Sequence, residues 1–233
     1  LLASLESAGK DRAFSITGPH GAGKSSLARF LIDLTLPSAS QQRRAAITEI
    51  EKRPELLDRF ERAMRTTSDV RKGWCHLAVT ANREPVIATL ERALDLGNAL
   101  PVSGDRTERV LRAIKEHLQL KPTLLVIDEF GKNLEYLAEH DSEGDVFVLQ
   151  RLIEGTRGAG MPFVVVTLQH QSQFDYFRHA SESARVEWAK VLGRFQDFVF
   201  LDSPDESRRL LTTLFSKSAS TQRMPVSYTH LRA

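Results

Sequence analysis

A short β-prone run, Ala13-Phe14-Ser15-Ile16-Thr17, leads straight into Gly18-Pro19-His20-Gly21-Ala22-Gly23-Lys24-Ser25. Ser26 to Leu34 follows, with Leu27, Phe30, Leu31 and Leu34 at helical spacing. A strand that ends in a glycine-rich turn and re-emerges as an amphipathic helix opens a β-α unit, and the remaining chain keeps that alternation. Trp74–Thr80, Thr123–Ile127, Phe163–Leu168 and Phe198–Leu201 read as further strands. The unbroken apolar runs at 123–127 and 163–168 are those of central parallel strands buried on both faces. Helices are expected over Ile47–Arg65, Pro85–Leu96, Asp105–Leu118, Asp145–Arg157, Glu182–Leu192 and Pro204–Phe215, with Leu1–Ala8 as a helix end stopped by Gly9 and Pro37–Ala46 as a polar loop. The expected fold class is therefore α/β: a five-stranded parallel sheet between two helical layers.

The rest of the sequence narrows the function classes. The chain has 233 residues, 41% apolar and 27% charged, enough for one sizeable α/β domain with a packed core. The net charge of +2 gives no argument for nucleic-acid or membrane binding, and Arg43-Arg44 and Arg71-Lys72 read as solvated faces. One cysteine, Cys75, excludes an internal disulfide, and its neighbour His76 points to the opposite face of the strand. No apolar run has bilayer-spanning length and no signal-peptide layout opens the chain, so a cytoplasmic location is expected. The chain does not start with Met, so its N-terminus is expected to be truncated or trimmed. Met224 to Ala233 shows no period and resembles translated sequencing-adapter read-through. Residues 1–203 are thus expected to form the core, with an insert at about 38–73. Residues 204–222 are expected to begin a truncated helical lid, and 223–233 to be a non-native or disordered tail.

Gly18-x-x-x-x-Gly23-Lys24-Ser25 is the pattern by which a backbone wraps phosphates. Its glycines remove side-chain bulk, and its N–H groups and the following helix N-terminus supply donors. Gly18, Pro19, His20, Gly21, Ala22, Gly23, Lys24, Ser25 and Ser26 are the expected nucleotide-binding residues. Lys24 would reach the β- and γ-phosphates, and the Ser25 hydroxyl would coordinate Mg²⁺. Asp128, at the end of the buried run Leu124–Ile127, fits the second acidic contact to Mg²⁺, and Glu129 beside it fits a general base that polarises water. Thr167, Gln169, His170 and Gln171 cluster after the fourth strand, where a polar side chain senses a γ-phosphate or orients water. Arg194, in Gly193-Arg194-Phe195 before the last strand, is placed to reach a neighbouring subunit's γ-phosphate or, equally, to form a salt bridge at a helix end. No Asn-Lys-x-Asp guanine-reading motif and no Leu-Ser-Gly-Gly-Gln-like signature is present.

These residues together resemble the AAA+ ATPase superfamily. The likeness runs from about Ala13 to Phe215 and rests on the Gly18–Ser25 loop, the Asp128-Glu129 pair, and Leu192-Gly193-Arg194-Phe195 followed by Phe198–Leu201 and Pro204-Asp205-Glu206. The resemblance implies a three-layer αβα sheet in the order 5-1-4-3-2, ATP and Mg²⁺ as ligands, ATP hydrolysis, Arg194 as an arginine finger, and action as a homo-oligomer or within a larger chain. Asp128–Asn133 and Gln169–Gln171 resemble segments of large bacterial ATPases with origin-recognition-like or signalling modules. The stretch of roughly a hundred residues between Lys24 and Asp128 is longer than this class leads one to expect, and most of the lid that the resemblance implies is expected to be missing. The expected function is Mg-ATP turnover coupled to conformational change in a larger assembly. The alternatives are a nucleotide-gated signalling switch with slow turnover and a DNA-loading or translocating motor.

Overall fold

The connection that leaves β1 (Ala13–Thr17) runs the opposite way from every later one, and the layering follows from that reversal. The computed structural model describes residues 5, 12–67, 71–96, 105–140, 143–155, 161–178 and 181–200. After β1 come α1 (Lys24–Thr35), α2 (Gln41–Glu51) and α3 (Pro54–Thr67), then β2 (Cys75–Thr80), α4 (Val86–Ala93) and α5 (Arg106–Leu120). β3 (Thr123–Asp128), α6 (Gly131–Glu139), α7 (Glu143–Gly155) and β4 (Phe163–Gln169) follow, and α8 (Gln173–Tyr176), α9 (Glu182–Leu192) and β5 (Phe195–Val199) complete the series. All strand pairs are parallel, in the order β2-β3-β4-β1-β5. Read from the other edge, this is the expected 5-1-4-3-2.

Right-handed crossovers then assign the helices to faces. The path from β1 to β2 crosses the sheet one way, and those from β2 to β3, β3 to β4 and β4 to β5 return the other way. Accordingly α1, α2 and α3 pack on one face with Phe14, Ile16, Leu124, Val126, Val164 and Val166. The later helices α4 to α7 and α9 pack on the other with Leu77, Leu125, Ile127 and Val165. The alternation of Leu124 and Val126 against Leu125 and Ile127 is the two-residue period of a strand buried on both sides. β4 is buried along its whole length. Cys75 and His76 do face opposite ways: Cys75 Sγ lies 3.8 Å from His117 Nδ1 on α5, and His76 Nε2 lies 2.8 Å from Thr35 Oγ1 on α1.

The segment after α1 departs from expectation. Residues 41–46 are helical, not loop, because Ser40 caps α2 by accepting from the Arg43 N–H. One long helix over 47–65 is in fact two, since Pro54 has no N–H to continue α2 and instead starts α3. Arg43 is buried, not solvated: its guanidinium donates to the Leu36 carbonyl at 2.7 Å beyond the end of α1, and burial lowers its pKa from the ordinary arginine value. Arg44, next to it, is exposed.

Two helices, α6 and α8, come where none was expected. β5 begins at Phe195, three residues earlier than anticipated, paired Ala13 with Phe195 through Thr17 with Val199. It is an edge strand whose residues after Phe195 are exposed, so Gln196 and Asp197 masked its start. The expected helix at 204–215, the lid, the tail and most of Leu1–Ala8 lie outside the described residues. Among the described residues no helix is long and apolar enough to cross a membrane.

Candidate active site

Strand register brings the candidate residues to one edge of the sheet. Thr17 is level with Gln169, and Ile127 with Thr167, so the chain leaves β1, β3 and β4 side by side. β1 and β4 are neighbours whose connections depart to opposite faces, and such a reversal opens a crevice at the carboxyl ends of the strands. Gly18 N–H donates to the Gln169 carbonyl at 3.1 Å, and Phe130 N–H donates to the Leu168 carbonyl at 2.9 Å, stitching the three exits together. The loop from Gly18 turns through Gly21 and Gly23, at φ 80° and 90°, into the N-terminus of α1. Gly18 admits no side chain for a reason outside phosphate chemistry: a Cβ there would stand 2.5 Å from the Phe200 carbonyl oxygen.

Lys24, the first residue of α1, is buried, and its ammonium folds back onto the loop. Nζ donates to the carbonyls of Gly18 at 2.7 Å and Pro19 at 2.8 Å and lies 3.4 Å from His170 Nδ1. Ser25 Oγ donates to Asp128 Oδ2 at 2.8 Å, although the two residues are 103 positions apart. Asp128 Oδ1 in turn accepts from the Glu129 N–H at 2.8 Å. Glu129 holds a left-handed backbone, φ 58°, which is uncommon for a residue with a side chain and is concentrated at functional sites. Its carboxylate oxygens lie 3.1 and 3.2 Å from His170 Nε2, and one is 3.8 Å from Lys132 Nζ.

Of the polar residues after the fourth strand, one faces this crevice through contacts to both motifs. Thr167 donates to the Phe14 carbonyl, and Gln169 donates to Ser15 Oγ at 2.8 Å inside the sheet. His170 touches both Lys24 and Glu129. Since an ammonium can only donate, Nδ1 of His170 accepts from it and the ring proton belongs on Nε2, toward Glu129. The His20 ring, from the glycine-rich loop, stacks on His170 with centroids 3.4 Å apart. Arg194 is not turned toward these groups: its guanidinium forms a 2.5 Å ion pair with Glu154 on α7.

Tyr176 was not foreseen. Its hydroxyl engages the backbone at His170 and Gln171, and its ring lies against Gly131. Burial pushes the phenol above its ordinary pKa, the backbone hydrogen bonds oppose that shift, and the carboxylates of Glu135 and Glu129 add to it. A single tyrosine in a polar stretch carries no sequence signal for this contact.

No protein-family model and no curated protein matches the chain by sequence. Its fold is similar to that of the Aeropyrum pernix ORC2 protein, whose structure was determined as ADPNP and ADP complexes. The TM-score is 0.52 and the identity 18%, over 94% of this chain and 49% of ORC2, so the chain spans about half the length of that protein. At that identity the likeness carries the fold alone. The architecture is the three-layer αβα arrangement, in the strand order, that the sequence resemblance implied.

Proposed function

We propose that this chain binds ATP with Mg²⁺ through the loop from Gly18 to Ser26 and hydrolyses it, as a module of a larger assembly. The observation that carries the reading is the 2.8 Å contact from Ser25, the residue after Lys24, to Asp128. Two motifs from distant parts of the chain meet where a triphosphate and its cation require a cation-ligating hydroxyl, a carboxylate and a buried lysine. The donor set fits: Ser25 and Asp128 offer oxygens only, which suits a hard ion. Mg²⁺, when bound, neutralises charge on the phosphate oxygens. The nucleotide in the ORC2 structure is consistent with such a ligand in this fold.

Within that reading each residue has one task. Lys24 donates to the Gly18 and Pro19 carbonyls in a buried cradle and would transfer those donors to phosphate oxygens. Glu129 would orient water and take its proton, and His170 would hold the carboxylate while reporting on the state of Lys24. Arg194 would have to leave Glu154 before acting as a finger on a neighbouring subunit. One observation favours the slow-turnover switch as a second reading: Glu129 is already engaged by His170 and Lys132, and a base so held works only after that contact is broken.

ATP binding and phosphate release by the purified chain test this. Lys24→Ala is expected to abolish binding. Glu129→Gln is expected to keep binding and to lower turnover by roughly 10²–10⁴-fold, the usual contribution of a general base. Steady turnover insensitive to both substitutions would sink the assignment.

A further inference from the structure

His20, Glu129 and His170 form a cluster in which Mg-ATP chemistry calls on Glu129 but does not call for two imidazoles beside it. One ligand atom from each lies within 4.8 Å of the other two. Two imidazoles and a carboxylate are a donor set that suits Zn²⁺ and its borderline-soft relatives, whereas Mg²⁺ prefers oxygen throughout. The geometry is also close to what such an ion needs. Four ligands at about 2.0–2.1 Å in a tetrahedron stand roughly 3.4 Å from one another. The Glu129 to His170 edge, at 3.1 and 3.2 Å, already has that length. His20, which is exposed and lies in the loop, stacks on His170 and has to turn its ring out of that stack to aim a nitrogen at the same ion.

We propose that the nucleotide-free chain binds one zinc-class divalent ion through His20, Glu129 and His170, and that the ion holds the site inactive. Three protein ligands leave a fourth position for water. Coordination by His170 Nε2 requires that nitrogen to give up its proton, so the ring takes the Nδ1–H form. Nδ1 then no longer accepts from Lys24, whose ammonium keeps its bonds to Gly18 and Pro19. Glu129 becomes a metal ligand and is lost as a base. His20 belongs to the loop that wraps phosphate, so nucleotide and ion compete for the same closed loop. The binding half of the proposal stands on the donor geometry alone. The inhibitory half rests on the role proposed above for Glu129.

The test uses the untagged, metal-free chain without nucleotide, titrated with Co²⁺ as a spectroscopic probe and with Zn²⁺ against a chromophoric chelator. One equivalent of Co²⁺ with tetrahedral visible bands is expected. Affinity is expected to fall by at least about tenfold in each of His20→Ala, His170→Ala and Glu129→Gln. His20→Ala alters an exposed loop residue, so its effect cannot be put down to failed folding. A weak octahedral spectrum, or binding that survives these changes and disappears instead in Cys75→Ser or His117→Ala, overturns the site. In a parallel assay, micromolar Zn²⁺ is expected to suppress wild-type phosphate release, each variant being compared with its own metal-free rate. Tight ligation by the three residues without suppression overturns the inhibitory half and counts against Glu129 as the base. Loss of turnover in every sample with tetrahedral Co²⁺ binding intact leaves the site standing and removes the ATPase reading.

Discussion

Gly131 is the position at which one added carbon tests how the site is braced. It is the first residue of α6, and a Cβ there would stand 2.2 Å from Tyr176 Oη, 2.7 Å from Cζ and 3.2 Å from Cε1. The closest of these is about 1.2 Å inside ordinary contact distance. The helix cannot back away, because Phe130 beside it is fully buried and bonded to β4. Tyr176 is held in turn by the backbone at His170 and Gln171. Overpacking of this kind costs about 1–3 kcal/mol. The better helix propensity of alanine offsets up to ~1 kcal/mol of that, and less in a first turn. Gly131→Ala is therefore expected to destabilise by about 1–2 kcal/mol. In a Tyr176→Ala background the obstruction is gone, and the same change becomes neutral or stabilising. Urea unfolding of the four proteins of this double-mutant cycle gives the coupling, expected at about 1 kcal/mol or more. An equal cost of Gly131→Ala with and without the tyrosine ring would falsify the account.

Two further expectations concern the two faces of the sheet. Burial lowers the His76 pKa, helped by Arg29 and Lys121 and opposed by Asp33, so the neutral ring is favoured in the fold. Its stabilising contribution is present above about pH 6.5, the unfolded value, and is lost as pH falls through the lower folded value. His76→Gln is expected to flatten the stability profile in that window, and parallel wild-type and variant profiles would refute the assignment. On the other face, Leu125 is fully buried in β3, and Leu125→Ala should cost about 2–5 kcal/mol in urea unfolding. A loss below about 1 kcal/mol would mean that this layer packs loosely.

How much of this could be read beforehand depended on burial. β3 and β4 were legible because both their faces are covered, which enforces an uninterrupted apolar run. β5 was misplaced because an edge strand owes its pairing to β1 and not to its own side chains. α6 opens with Gly131, Lys132 and Asn133, none of which is an apolar residue that could begin a helical period. Yet Asn133 is buried and donates to the Glu84 carbonyl and Thr89 Oγ1, partners about 50 positions away that no local pattern reveals. The meeting of Ser25 with Asp128 was foreseeable, since the chemistry names both partners in advance. The choice of His170 over Gln169 was not: adjacent residues leave a strand end in opposite directions, and which one enters the crevice depends on the register of β4 against β1.

That register has a consequence for how the chain is made. β1 is synthesised first but pairs only with β4 and β5; Gln169 and Ser15, bonded across that pair, are 154 residues apart. At about 5–20 residues per second on a ribosome, the strand that carries the glycine-rich loop waits on the order of ten to thirty seconds for its first neighbour. During that interval Phe14 and Ile16 lack Val164, Val166 and Leu168, the β4 members of their cluster. Such long-range closure is a slow step in folding. The loop is the earliest part of the site to emerge and among the last to take its final form.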